Sequence, residues 1–298
     1  MSQLRHERER ITFGDELRML RKKKRVVGIE LAKLTGISQS KLSKIETGAL
    51  TPSTDDLQRI FGVLKPSRND AQRLIEWGRT LRTEYASWRF SHRKGFGPKQ
   101  LEVSQLEQKA TRIRVFQPAL IPGLLQIPEY ARRVLQLANI THQPDLEQAL
   151  SIRIKRQEIL YKSDHKFEFL ISESAALSRF CNPAIVRQQL ERLRFFPGLS
   201  NVEIGFISSR VALPHTPQCS FVVLDSSSAV VETFTGEVST VDPRDVEVYN
   251  SVFDDFVSVA SFGSAASEFL DDCMQTLGTM DDPSPQSLAR GCMSLVET

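Results

Sequence analysis

Between Thr12 and about Thr80, apolar residues return every three or four positions in short runs that turn chemistry interrupts. The pattern predicts five helices, over 13–25, 28–34, 39–46, 54–64 and 68–82. Three start signals share one logic. Thr12 with Asp15, Ser53 with Asp56, and Ser67 with Asp70 each place a hydroxyl at a helix start and an acid three residues on. The hydroxyl can accept a helix-terminal N–H, and the acid faces the positive end of the helix dipole. The stretch TEYASWRFSHRKGFGPK (83–99) then mixes aromatic and basic groups with Gly95, Gly97 and Pro98, which predicts a linker.

Beyond it the period changes. Helical segments near 100–114, 128–139 and 145–162 precede FEFLIS (167–172), where Phe167, Phe169 and Ile171 alternate as a strand requires. A helix at 183–195 is followed by strands at 202–208, 219–225 and 229–234, and by amphipathic helices at 243–261 and 264–277. The expected architecture is an all-α N-terminal domain (1–82), the linker 83–99, and a larger mixed α/β, or α+β, domain over 100–277. Residues 278–298 have turn residues and little periodicity, so a flexible tail is expected.

The segment GIELAKLTGISQSKLSKIETGALTPS (28–53) has a mechanism attached. Leu31 and Ala32 lie on one short helix, Gly36 makes the turn, and Ile37, Leu42 and Ile45 would pack the next helix against the first. Ser38 is its N-cap, so Gln39, Ser40, Lys41, Ser43 and Lys44 project outward. This is the pattern of a helix-turn-helix, whose second helix enters the major groove of DNA. Through A-x-x-x-G-I-S-Q-S-x-L-S-x-I-E-x-G it resembles the XRE family, the phage Cro and repressor type, over residues 12–66. The resemblance implies base contacts from Gln39, Ser40 and Lys44, with phosphate or flanking contacts from Ser38, Lys41, Ser43 and Thr47. It also implies a buried ion pair between Arg21 and Glu46.

Two positions depart from that family. Gly28 stands where a phosphate-binding Gln is usual, and Ala49 and Leu50 stand where basic residues often follow the third helix. The run Arg21–Lys22–Lys23–Lys24–Arg25 is the natural substitute, with Lys22 and Lys23 as phosphate contacts; the alternative is a solvated helix end favoured by the dipole.

A second resemblance covers about 100–275. FQPALIPGLLQIPEYARRVL (116–135), IRIKRQEIL (152–160), RQQLERL (187–193), NVEIGFI (201–207) and VVETFTG (230–236) are similar, in order and spacing, to the C-terminal domain of WhiJ-like regulators of actinobacteria. What this implies is a transcriptional regulator, expected to be a repressor, whose C-terminal domain dimerises or binds a small BldB-like partner protein that modulates DNA binding. Members are also described as antitoxin-like. ISESAAL (171–177) fits more loosely, so no special role is assigned to Glu173. In P-G-L-L-Q-x-P-E-Y, Pro122 and Pro128 can begin helical turns, Gly123 permits close packing, and Leu124, Leu125, Tyr130 and Val134 are core candidates. Trp77 and Trp88 are expected to be packing anchors.

Composition sharpens one point. The chain has 298 residues, 40% hydrophobic and 25% charged, with a net charge of +3. That total conceals a gradient: residues 1–100 hold 22 Lys and Arg against 11 Asp and Glu, whereas residues 225–298 hold 2 against 14. A basic front end suits a polyanion such as double-stranded DNA, and the acidic end does not. No stretch reaches the roughly 20 apolar residues a membrane span needs, and the charged start is not a signal peptide, so a cytoplasmic, nucleoid-associated protein is expected.

Cys181, Cys219, Cys273 and Cys292 form no C-x-x-C pair, and His6, His92, His142, His165 and His215 are scattered. They are read as reduced thiols and isolated imidazoles, with no metal and no cofactor expected. No G-x-S-x-G, P-loop, G-x-G-x-x-G or H-E-x-x-H occurs, and Glu129, Glu173, Glu232 and His215 have no signature joining them, so no catalytic residue and no enzyme activity is expected. The alternative function is a metabolite-sensing regulator with a ligand pocket in its C-terminal domain.

Overall fold

The computed structural model describes residues 2–87, 96–140, 143–234 and 236–279. In chain order these form α1 (Ser2–Lys23), α2 (Gly28–Thr35), α3 (Gln39–Glu46), α4 (Thr54–Leu64), α5 (Arg68–Thr80), β1 (Thr83–Ser87), α6 (Phe96–Lys109) and β2 (Arg112–Gln117). Then come α7 (Pro128–Ala138), α8 (Leu146–Arg156), β3 (Lys166–Ser172), the single turn α9 (Glu173–Ala176), α10 (Pro183–Leu193) and β4 (Val202–Ile207). The series closes with β5 (Phe221–Leu224), β6 (Ser228–Glu232), β7 (Gly236–Thr240), α11 (Pro243–Val257) and α12 (Gly263–Thr279). Contacts divide the chain into two compact units, residues 1–90 with 233–246, and residues 91–232 with 247–298.

In the first unit the helical period does its expected work. Phe13 and Leu17 of α1, Leu31 and Ala32 of α2, Leu42 and Ile45 of α3, and Leu57, Ile60 and Leu64 of α4 share one core. Trp77 packs on it, its ring meeting Phe13 edge-on with centroids 5.2 Å apart. Trp88 lies outside the described residues. At Gly14 an added Cβ would stand 2.6 Å from the Ile45 carbonyl oxygen, so α1 and α3 touch backbone to backbone there.

The capping signals divide. Ser53 and Asp56 make the full reciprocal box at the start of α4. Ser67 accepts from the Asp70 N–H but donates its hydroxyl to the Asp70 carboxylate. Thr12 and Asp15 start nothing: α1 already runs from Ser2, and the Thr12 hydroxyl donates to the Arg8 carbonyl one turn back.

The expected linker 83–99 carries structure at both ends. β1 pairs antiparallel with β7, Thr83 opposite Thr240 and Ser87 opposite Gly236, and α6 starts at Phe96. Residues 88–95 lie outside the described residues. Arg82, just before β1, explains how residues 233–246 belong to the helical unit. It donates from Nε and Nη2 to Asp242 at 3.1 and 2.9 Å, from Nη1 to the Pro52 carbonyl, and from Nη2 to the Thr54 hydroxyl at the head of α4. The two paired side chains are only 2% and 5% exposed.

The second unit is α+β, as expected. Its strands run in the order β6-β5-β2-β3-β4. The β2–β3 and β3–β4 pairs are parallel; β2–β5 and β5–β6 are antiparallel. One face presents Ile113, Val115, Phe167, Phe169, Ile204 and Phe206 to α10 and α12. On the other, Phe116 stacks on Phe256 of α11 at 4.5 Å. Arg114, also on that face, is held by Glu168, Asn250 and Asp254.

Three strands escape the sequence pattern: β1 lies in the stretch read as a linker, and β2 and β7 are hidden in other ways. The segment read as helix to 114 breaks after Lys109, and β2 begins at Arg112. Its alternation was hidden because the polar position, Arg114, is itself buried and neutralised inside the fold. β7, GEVST, is too polar to announce itself and is made a strand by β1. The P-G-L-L-Q segment packs as expected through Leu124, Leu125 and Tyr130, with Val134 partly buried against the same core. Gly123 does not: a Cβ there would meet nothing within 4 Å, so close packing is not its reason. Of the expected tail 278–298, α12 reaches Thr279 and the remainder lies outside the described residues.

Burial pushes the Asp242 carboxyl up, but hydrogen bonds from Arg244 and Arg82 outweigh it and hold it at about 2, against an ordinary 3.8. A folded-state value below the unfolded one gives stability that is present above about pH 4 and is lost as the pH falls toward 2. Asp242→Ala should therefore cost about 3 kcal/mol in urea denaturation of the full chain at neutral pH, by stranding the buried Arg82. Asp242→Asn should flatten the acid limb of the stability curve; an unchanged limb would show that the carboxylate is not the titrating group.

Candidate nucleic-acid interface

The helix-turn-helix is built from local rules. Thr35 ends α2 by donating its hydroxyl to the Leu31 carbonyl, and Gly36 follows at φ +68°, a left-handed conformation that glycine adopts without penalty. Ser38 then caps α3, accepting the Lys41 N–H at 3.2 Å. Leu42 and Ile45 turn inward at 2% and 1% exposure, which leaves Gln39, Ser40, Ser43 and Lys44 on the exposed face. Thr47, at the C-cap, spends its hydroxyl on the Ser43 and Lys44 carbonyls, so its side chain closes the helix end as well as facing outward.

Arg21 and Glu46 meet as a fork. Nε donates to Oε1 at 2.6 Å and Nη2 to Oε2 at 2.7 Å, and the remaining Nη1 donates to the Val26 carbonyl. The hydrogen bond to Glu46 raises the Arg21 guanidinium further above its ordinary range, against a smaller desolvation effect. Arg18 adds a longer contact to Glu46 at 3.5 Å, a partner the sequence reading did not name. One buried carboxylate at the end of α3 is thereby clamped to the last turns of α1, fixing the angle at which α3 is presented.

Lys22 and Lys23 occupy the last turn of α1 and are exposed. Through Arg21 that turn is tied to the C-terminal end of α3, so the basic run flanks the far end of the helix rather than its first turn. Lys41 is differently employed: its ammonium pairs with Asp56 of α4 at 2.7 Å. Burial pushes Asp56 up, but hydrogen bonds from Lys41 and Ser53 outweigh it and hold the carboxyl below its usual range. An exposed, uncommitted cation is thus available at Lys44 and not at Lys41. The spacing from Lys41 to Asp56 gives no local signal, since only the packing of α3 on α4 brings them together.

Elsewhere, the groups weighed for chemistry are engaged separately. Glu173 accepts from the Ser209 N–H and hydroxyl and from the Ser208 hydroxyl, fixing the loop after β4. His215 contacts Asp255 at 2.7 Å. Burial pushes the Cys181 thiol up to about 11 and Cys273 up to about 12, which keeps both protonated and unreactive. Among the described residues no three His, Cys, Asp or Glu side chains are grouped to hold a metal, and no helix is long and apolar enough to cross a membrane.

Removing either member of the Arg21–Glu46 fork should destabilise the chain by about 3 kcal/mol, and Arg21→Lys should restore little, because an ammonium cannot make both parallel bonds. Urea denaturation of the two variants beside wild type measures this; full rescue by Lys would reduce the fork to a simple charge contact.

Comparison with known proteins adds two assignments. Residues 12–74 match the family model described as a helix-turn-helix domain, and residues 100–272 match the one described as a domain of unknown function, DUF5753. No curated protein matches the chain. Among solved structures, a phospholipase D family member, Nuc from Salmonella typhimurium, aligns at 12% identity over 56% of this chain and 90% of its own, with a TM-score of 0.32. TrmBL2, an archaeal chromatin protein, aligns at 11% identity over 68% of this chain and 65% of its own, with a TM-score of 0.30. Likenesses this weak carry no argument about fold or function. The family matches do: with more than half its length inside the second model, the chain belongs to the DUF5753 family, and it carries a helix-turn-helix domain ahead of that region.

Proposed function

We propose that the protein is a sequence-specific regulator of transcription that places α3 in the major groove of duplex DNA. The observation that carries this is the division of α3 into a buried face, Leu42 and Ile45, and an exposed face, Gln39, Ser40, Ser43 and Lys44, on a helix clamped at its far end by Arg21. Gln39 can pair bidentately with adenine and Lys44 can donate to guanine, while Ser40 reaches either. Ser38 and Ser43 contact phosphates, Thr47 does so only where its hydroxyl turns from the Ser43 and Lys44 carbonyls to the DNA, and Lys22 and Lys23 supply the sequence-independent attraction. Lys41 keeps its pair with Asp56 and supports the reading helix from behind. Repression through a homodimer, with half-site centres roughly 34–36 Å apart, is the form of regulation inferred. The DUF5753 region would serve dimerisation or a small BldB-like partner, without catalysis of its own. The competing reading gives that region a metabolite to sense.

Gln39→Ala and Lys44→Ala should each remove about 1–3 kcal/mol of discrimination between an operator selected from random DNA and a scrambled duplex. Alanine at Lys22 and Lys23 should weaken binding to both duplexes alike and flatten the salt dependence. Fluorescence anisotropy at several salt concentrations separates the two classes. Equal losses on both duplexes from Gln39→Ala would take that residue out of base reading. Sedimentation of the full chain with and without the operator tests the dimer.

A further inference from the structure

In the second unit, the segments FQPALIPGLLQIPEYARRVL and IRIKRQEIL converge on one guanidinium. Arg153 of α8 donates from Nε to Gln100 Oε1 at 3.3 Å and from Nη1 to Gln126 Oε1 at 3.1 Å. Both acceptors are neutral amides, and both are buried, at 6% and 3% exposure. Among the described residues no carboxylate pairs with Arg153, and its Nη2 finds no acceptor.

Arg156, one turn on, has the counter-ion that Arg153 lacks. It makes a fork to Glu107 at 3.0 and 2.6 Å, and its Nη1 donates to the same Gln100 oxygen at 2.6 Å. Two guanidinium groups and one carboxylate leave this bonded cluster with an excess positive charge. Burial draws the Arg153 guanidinium down to about 10 and Arg156 adds to this, while Glu232 and Glu107 oppose it from a distance.

The surroundings are built to hold Arg153 still. Gln126 donates to the Ile121 carbonyl at 2.7 Å, and its own carbonyl accepts from Gln157 at 2.6 Å, so its side-chain oxygen is fixed toward the guanidinium. The 3-10 turn Gly123–Leu125 packs on α8, and space lies open where a Gly123 side chain would be. Arg153 is partly buried, and drawing a cation even part of the way out of water without a counter-charge is costly; two amide oxygens do not supply that charge. A guanidinium with one edge immobilised and the other unpaired is matched in shape and charge by a planar carboxylate or a phosphate.

We propose that Arg153 anchors a binding site for a small oxyanion, a carboxylate or phosphate group, which engages its free Nη2 edge while Gln100 and Gln126 fix the plane of the guanidinium. The site is independent of the DNA-binding reading, because it is tested without DNA.

The test is calorimetric titration of the full chain with inorganic phosphate and, separately, with succinate, at constant ionic strength and with sodium chloride as control. Saturable binding of one or both is expected at millimolar concentration, and whichever binds more tightly identifies phosphate or carboxylate as the preferred group. Arg153→Gln should weaken it at least about tenfold, and Arg153→Lys should weaken it less, because the charge stays while the fork is lost. The melting temperature of unliganded Arg153→Gln should equal or exceed that of wild type, since a partly buried charge without a counter-ion has been removed. If Arg153→Gln fails to fold, Arg153 is a structural cross-link between α6 and the Gln126 loop and the proposal fails. Absence of saturable binding by both anions, or equal affinity in wild type and Arg153→Lys, also overturns it.

Discussion

The desolvated pair of Arg82 and Asp242 is the constraint on which the helical unit turns. Arg82 stands at the end of α5, and its guanidinium reaches the loop before α4 on one side and a carboxylate 160 residues away on the other. Two charges this deeply buried are stable together and costly apart. The helix-turn-helix unit is therefore completed by chain that belongs, in sequence, to the DUF5753 region. The β1–β7 ladder repeats the linkage in backbone hydrogen bonds, so the return of residues 236–246 rests on two independent kinds of contact.

The same economy of charge runs through both units. Glu46 collects Arg21 and Arg18; Asp56 serves at once as the N3 group of a capping box and the partner of Lys41. Glu168 is contacted by Arg112, Arg114 and Lys166, and these bonds outweigh its burial and hold it at about 2. Each carboxylate is shared between elements that are distant in sequence, so each fixes an angle or register that apolar packing alone would leave loose. Against this background Arg153 stands out, because its acceptors among the described residues are neutral amides.

These networks also qualify the gradient of charge along the sequence. The basic run at 21–25 does not act as a block: Arg21 is committed to Glu46 and to the Val26 carbonyl, and exposed charge remains at Lys22 and Lys23. Asp242, from the acidic end of the chain, is likewise spent on Arg82 and Arg244. Formal charge counted by segment therefore overstates what either region can offer a partner.

The sequence by itself determined the parts governed by neighbours within a few residues. The five helices, the Gly36 turn, the Ser38 cap, the Ser53–Asp56 box and the outward face of α3 follow from helical period and local hydrogen bonding, which act over one or two turns. Tertiary structure decided what depends on partners far along the chain. Arg114 is buried in a strand because Glu168 and Asp254 neutralise it, and β7 is a strand because β1 lies beside it. Lys41 is held back because α4 brings Asp56 to it, and Asp242 belongs to the helical unit because Arg82 is there to receive it. A polar residue carries no mark in the sequence of whether folding will bring it a counter-charge, and that alone settles whether it is core, clamp or contact.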